Sequence, residues 1–186
     1  MLQTKKKLTL EEFLALPEGD VTYELVNGEV IPKMSPKLYH SRLTKVMLRL
    51  LEEWGKDKGE VGVEWAIILT RQGENWVPTP ELLYVSDQRL APDWVENEAC
   101  PVPPELVIEI ISPGQTFGQL AAKARDYLDA GVLRVWVVDS QARSITVFYP
   151  DAPPQTYMED TPLIDSLFEG LEITSERVFQ LARIPR

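Results

Sequence analysis

Glu81, Glu109 and Lys123 have the residue types and settings that phosphate chemistry uses. Glu109 lies in Leu106-Val107-Ile108-Glu109-Ile110-Ile111, where every other residue is aliphatic. A run apolar on both faces reads as a strand in the middle of a covered sheet. An ionised carboxylate there needs a partner, because taking its charge out of water is costly. A metal ion or a positioned lysine offsets that cost. A second acidic strand, Pro80-Glu81-Leu82-Leu83-Tyr84-Val85, precedes it, and Lys123 falls near the middle of a helix predicted over 117–130. Two acids and a lysine on neighbouring elements are the raw material of a metal-dependent phosphodiesterase site. If the strands are neighbours, both carboxylates reach one Mg²⁺ (or Mn²⁺), an ion that needs few protein oxygens and keeps several waters. Such an ion polarises a scissile phosphate and lowers the pKa of an attacking water.

Each residue also has a plainer reading. Glu81 reads equally as a strand-end surface acid, and Glu109 as half of a buried salt bridge. Lys123 lies at the border of the stripe Leu120, Ala121, Ala124, Tyr127 and Leu128, so it either snorkels toward the sheet or is solvated. Glu24, in Tyr23-Glu24-Leu25-Val26-Asn27-Gly28, is a third candidate acid, and pattern alone favours a cross-strand ion pair for it. The lone His40 reads first as a surface or capping residue. Trp136 and Asp139 read as a core aromatic and a strand-end turn acid. Cys100 sits in a Pro-rich loop with a single His in the chain to activate it, which argues against a thiol nucleophile. No P-loop, GxGxxG, HExxH or paired CxxC occurs.

The elements that must position these groups follow from periodicity. Thr9 and Glu12 form a capping box ahead of a helix over 10–16, which Pro17-Glu18-Gly19-Asp20 ends. Asn27-Gly28 between two strand-like runs signals a hairpin. Leu43, Val46, Met47, Leu50, Leu51 and Trp54 make one apolar stripe on a long helix over about 36–58. Strands are predicted over 61–69, 76–85, 105–111, 132–139 and 144–149, with a polar excursion over 86–103 that suits a flap or an interface. Gly131 terminates the helix over 117–130. Strand, helix and strand over 106–138 form a βαβ unit. Short strands near 156–158 and 171–173 and a helix over 175–182 complete a mixed α/β sheet flanked by helices, in one domain spanning residues 1–186.

The 186 residues suffice for one domain with a substantial core, and 44% apolar with 26% charged content is ordinary for a globular chain. No apolar run is long enough for a membrane span, and the basic start Lys5-Lys6-Lys7 is not followed by a signal core. With one cysteine, a reducing, cytoplasmic setting is expected. The formal net charge of −10 argues against a general nucleic-acid coat protein. It leaves a nuclease open, because clustered acids bind divalent cations and a local basic strip survives on an acidic body. Candidate strips are Lys33, Lys37, Arg42, Lys45 and Arg49, and separately Lys123, Arg125 and Arg134, each with a solvated face as the alternative.

The run Tyr23 to Gly28, His40 at the head of the next helix, Pro80-Glu81, Pro104 to Pro113, Lys123 with Tyr127, Gly131-Val132 and Val135 to Asp139 together resemble the Uma-two family. The resemblance covers about residues 8–150 and continues loosely into a C-terminal extension. It implies a restriction-endonuclease-like, PD-(D/E)XK-type core and divalent-metal phosphodiester hydrolysis with DNA as substrate. Carried over by match, the site is Glu24, Glu81, Glu109 and Lys123, with Glu81 and Glu109 on the metal and His40 as an accessory. Two departures stand out. The family usually has Pro-Asp where this chain has Pro80-Glu81, which moves the charge by one methylene. The superfamily's Glu-x-Lys would put lysine at position 111, which is Ile111; the lysine comes from the following helix, at Lys123. The alternatives are an inactive nuclease-fold binding or assembly module and an enzyme acting on RNA or nucleotides. Nucleases of this architecture commonly work as dimers, so a homodimer is expected.

Overall fold

The computed structural model describes residues 7–17, 19, 21–33 and 35–185. Thr9 caps α1 (Leu10–Leu14) through the expected reciprocal bonds with Glu12. Glu18 and Asp20 of the expected helix stop lie outside the described residues, as does the basic start before Lys7. The hairpin forms where predicted. β1 (Tyr23–Val26) and β2 (Glu29–Pro32) pair antiparallel around Asn27 and Gly28, both at positive φ. This is the backbone that Asn-Gly tolerates and most residues resist.

The long helix α2 (Leu38–Gly55) contains the whole apolar stripe and is shorter at both ends than the predicted range of about 36–58. It leads into β3 (Gly59–Val63). The two long strands expected next are each broken. β4 (Leu69–Arg71) and β5 (Glu74–Val77) join β1 and β2 in a four-stranded sheet, whereas β3 and β6 (Leu82–Ser86) pair in the main sheet. The breaks have local causes. Glu64 takes a left-handed backbone, φ 46°, and Pro78 and Pro80 have no N–H to give a ladder. Glu81 therefore sits just before β6 and not within a strand.

β7 (Leu106–Ile110), α3 (Phe117–Asp129) and β8 (Arg134–Asp139) form the expected βαβ unit, with β7 and β8 parallel in register from Leu106–Arg134 to Ile110–Val138. Gly131, at φ 99°, takes the conformation that ends α3. β9 (Ser144–Phe148) and β10 (Gln155–Met158) extend the main sheet, ordered β10-β9-β8-β7-β6-β3. The two-residue strands β11 (Pro162–Leu163) and β12 (Ile173–Thr174) and the helix α4 (Ser175–Leu181) complete the chain.

Alternation along β7 sorts the core. Leu106, Ile108 and Ile110 join Leu43, Met47 and Leu51 of α2 and Val178 and Phe179 of α4. Val107 faces the other way, with Leu83, Val85 and Val135, toward Ala124, Tyr127 and Leu128 of α3. The strand's period of two puts Glu109 on that second face, under α3. Trp76 of the small sheet stacks against Tyr127, ring centroids 4.7 Å apart, and Arg71 pairs with Asp126 at 2.7 Å. The small sheet is thus fastened to the helix that carries Lys123. β6 takes Ser86, and residues 87–103 hold no helix and no named strand. They lie on the body through buried Cys100, bridged to Ile67, and through Trp94 against Trp65.

Candidate functional site

Glu109 is 4% exposed and meets two side chains from adjacent turns of α3. Tyr127 donates its hydroxyl to Glu109 Oε1 at 2.8 Å, and Lys123 Nζ stands 3.0 Å from the same oxygen. Positions 123 and 127 are one turn apart, so both reach one carboxylate. Lys123 Nζ also donates to Glu24 Oε1 at 2.8 Å. That oxygen accepts a second bond, at 3.0 Å, from the Thr79 backbone N–H in the linker ahead of β6. Glu24 is therefore tied to a helix 99 positions away, and not to the neighbouring strand as its pattern favours. Lys123 does snorkel toward the sheet, and its side chain stays 23% exposed.

Glu81 occupies a second, adjoining cluster. Its Oε1 lies 3.2 Å from Lys33 Nζ and 3.2 Å from His40 Nε2. The surface or capping role that a lone histidine suggests is overturned. His40, in the first turn of α2, is 6% exposed, and both of its ring nitrogens are buried without an aligned hydrogen-bond partner. The 3.2 Å approach to Glu81 is close in distance but poorly directed, so it is a charge contact first. Lys33 reaches on to Glu64 Oε1 at 3.5 Å.

The two clusters differ in electrostatics. Burial pushes the Glu109 carboxyl up; Lys123 opposes this, and the charges of Glu24 and Glu81 add to it, leaving the carboxyl above its ordinary value. Glu81 is thus near enough for its charge to be felt at Glu109. Burial also works to raise Glu81, but the contact with His40 and the charge of Lys33 outweigh it and hold that carboxyl below its ordinary value. Burial disfavours the Lys123 ammonium, yet Glu109 and Glu24 together raise its pKa, so it stays charged. The Lys123–Glu109 contact is uneven. The lysine has two acids, whereas the acid has one ammonium, one phenol hydroxyl and acidic neighbours. Tyr127 is buried beside these carboxylates, and its hydroxyl stays protonated well above the usual phenol range.

The donor set suits a hard cation by type. All its protein donors are carboxylate oxygens, and the described contacts of Glu24, Glu81 and Glu109 fall on Oε1, which leaves Oε2 of each to a ligand. Among the described residues no group of three His, Cys, Asp or Glu side chains is gathered as a metal cage.

Two members of this constellation were not singled out as site residues in the sequence. Lys33 appears there only within a basic strip, and Tyr127 only in an apolar stripe and, beside Lys123, in the family resemblance. The spacing of Tyr127 four positions after Lys123 is the signal that finds it; Lys33 offers none. Glu105, equally buried, is a structural acid: Ser86 donates to it from N–H at 2.9 Å, and Arg89 lies 3.3 Å away. A cleft of about 820 Å³ lies along residues 87–98 and β3, and Glu24, Glu109 and Lys123 are not among its lining residues.

The mixed sheet, its flanking helices and the βαβ unit define a restriction-endonuclease-like α/β fold. The family described as "Putative restriction endonuclease" (Uma2) matches residues 10–176, and the chain belongs to that family. Its fold is similar to a crystal structure described as a putative nuclease belonging to DUF820, from Anabaena variabilis. The TM-score is 0.81 at 21% identity, over 94% of this chain and 99% of that one. No curated protein matches the chain. Among the described residues no helix is long and apolar enough to cross a membrane.

Proposed function

We propose that the protein is a divalent-metal-dependent endonuclease that hydrolyses phosphodiester bonds in DNA. The observation that carries this reading is the sharing of the Lys123 ammonium between Glu24 and Glu109, brought together from β1, β7 and α3. Membership of a family described as restriction endonucleases supports it. Glu81 and Glu109 would hold Mg²⁺ or Mn²⁺, and the chemistry such an ion supplies is polarisation of the phosphate and activation of water. The chain's own residues do the rest. Tyr127 keeps Glu109 oriented through Oε1. Glu24 fixes the Lys123 ammonium beside Glu109, where a fixed positive charge stabilises charge developing on the phosphoryl oxygens and orients the attacking water. His40 acts as an accessory, holding Glu81 ionised together with Lys33.

The test is nicking of supercoiled plasmid in Mg²⁺ by the full chain, beside Lys123→Ala and Glu109→Ala. Wild type should nick and both variants should not. Equal nicking by all three proteins would locate the activity elsewhere or in a contaminant.

A second reading has its own support. Lys33 and Lys123 already neutralise Glu81 and Glu109. A nuclease fold that only binds or assembles would show no rise in melting temperature with Mn²⁺. A metal bound at one hundred times its dissociation constant stabilises by about 2.7 kcal/mol. We also propose a homodimer, since cutting two strands suits a two-fold axis. Val95, 84% exposed in the excursion over 86–103, supplies an apolar contact for it. Analytical ultracentrifugation distinguishes monomer from dimer.

A further inference from the structure

A small cleft of about 260 Å³ opens at Glu81, lined in part by Pro36, His40, Lys45, Leu48 and Glu64. Its walls join the acid cluster to the outer face of α2. On that face Lys45 and Arg49 are exposed and one turn apart. Among the described residues neither has a carboxylate partner. The other arginines near acids are engaged: Arg71 with Asp126, Arg89 with Glu105, Arg134 with Asp165 and Arg143 with Glu176. Lys45 and Arg49 put two neighbouring positive charges beside the candidate site of a body with net charge −10, with the exposed Glu52 and Glu53 one turn further along the helix.

Lys33 adds to this. It contacts two carboxylates of the cleft wall, Glu81 at 3.2 Å and Glu64 at 3.5 Å. The Glu64 contact is the weaker, with a side chain 44% exposed, and exposed pairs contribute little. A phosphate oxygen is a stronger partner for that ammonium than a solvated glutamate. His40 lines the same cleft with both ring nitrogens unsatisfied.

We propose that the phosphodiester backbone of the substrate strand runs along the outer face of α2, over Arg49 and Lys45, and enters this cleft, where Lys33 exchanges Glu64 for a phosphate. The proposal rests on the nuclease reading above and adds the surface that holds the strand. Phosphate contacts release counterions, so each one steepens the fall of affinity with salt.

The experiment is fluorescence anisotropy of a fluorescein-labelled duplex oligonucleotide with the full chain, in Ca²⁺ to avoid cleavage, over a salt series. Relative to wild type, Lys45→Gln/Arg49→Gln should lower the slope of log affinity against log salt by about 2, and Lys33→Gln by about 1. Glu64→Gln should tighten binding, a gain that a merely damaged fold would not produce. Wild-type slope in the Lys45/Arg49 double variant overturns the path along α2. Unchanged affinity in Glu64→Gln overturns the exchange at Lys33. If wild type binds and only the variants fail to respond, the nuclease reading survives and this path does not; if wild type binds no DNA at all, both fall.

Discussion

Lys123 and Tyr127, one turn apart on α3, end on the same atom, Glu109 Oε1, at 3.0 and 2.8 Å. One brings charge and the other a neutral hydrogen bond. A carboxylate buried in the middle of a sheet is tolerable here because one helical turn delivers both.

Lys123→Met should abolish nicking and also destabilise the fold. Removing one partner of a buried pair leaves the other charge stranded. Because Lys123 is 23% exposed, the loss should be modest, about 1–3 kcal/mol, below the full cost of a wholly buried pair. Urea unfolding at pH 7 measures it. An unchanged midpoint would mean that Glu109 is neutral without the lysine.

Glu81 and Glu109 should make opposite contributions to stability against pH. The folded-state pKa of Glu81 is lowered, so its contribution is present above the ordinary carboxyl range and lost as pH falls through the folded value. That of Glu109 is raised, so stability instead declines as pH rises from the ordinary carboxyl value through the folded one. Compared with wild type, Glu81→Gln should lose less stability in acid, and Glu109→Gln should lose less on going from acid toward neutrality. Melting temperatures from pH 3 to about pH 8 read both slopes.

Tyr127→Phe removes the hydroxyl but keeps the ring that stacks on Trp76. A lost hydrogen bond to a charged group costs about 1.5–3 kcal/mol. The carboxylate form of Glu109 loses a donor, so its pKa should rise further. The acid limb of the pH–nicking profile should then move to higher pH. A profile superimposable on wild type would show that the phenol does not set the ionisation of Glu109.

Glu81→Asp keeps the charge and withdraws the carboxylate by one methylene from Lys33 and His40. Nicking should stay within about tenfold of wild type, whereas Glu81→Ala should lose about a hundredfold or more, on the scale expected for removing a charged group that acts in the transition state. Timed plasmid assays in Mg²⁺ and Mn²⁺ make the comparison. Equal rates for Glu81→Ala and wild type would remove Glu81 from the metal.

Much of the fold was legible because its signals are local. The aliphatic run about Glu109, the Asn27-Gly28 turn, the Thr9–Glu12 box and the Gly131 stop depend on backbone preferences and short-range contacts, and each formed where the residues indicated. The predicted strand over 76–85 failed for a reason also visible in the chain: Pro78 and Pro80 interrupt the ladder. The strand over 61–69 is turned by a left-handed Glu64, which only the structure shows, and each run divides between two sheets.

The sequence by itself determined which groups were available: a carboxylate in an apolar strand, a second acid after a proline in the run over 76–85, a lysine at the edge of a helical stripe. Those follow from residue type and periodicity, which act over a few positions. Only the tertiary structure decided the company each keeps. Glu24 meets Lys123 across 99 positions, Glu81 turns to Lys33 and His40, and His40 is buried rather than exposed. Such pairings depend on how the small sheet docks on α3 and α2 on the main sheet. Docking is set by the packing of apolar faces, which carries no record of polar partners in any local pattern.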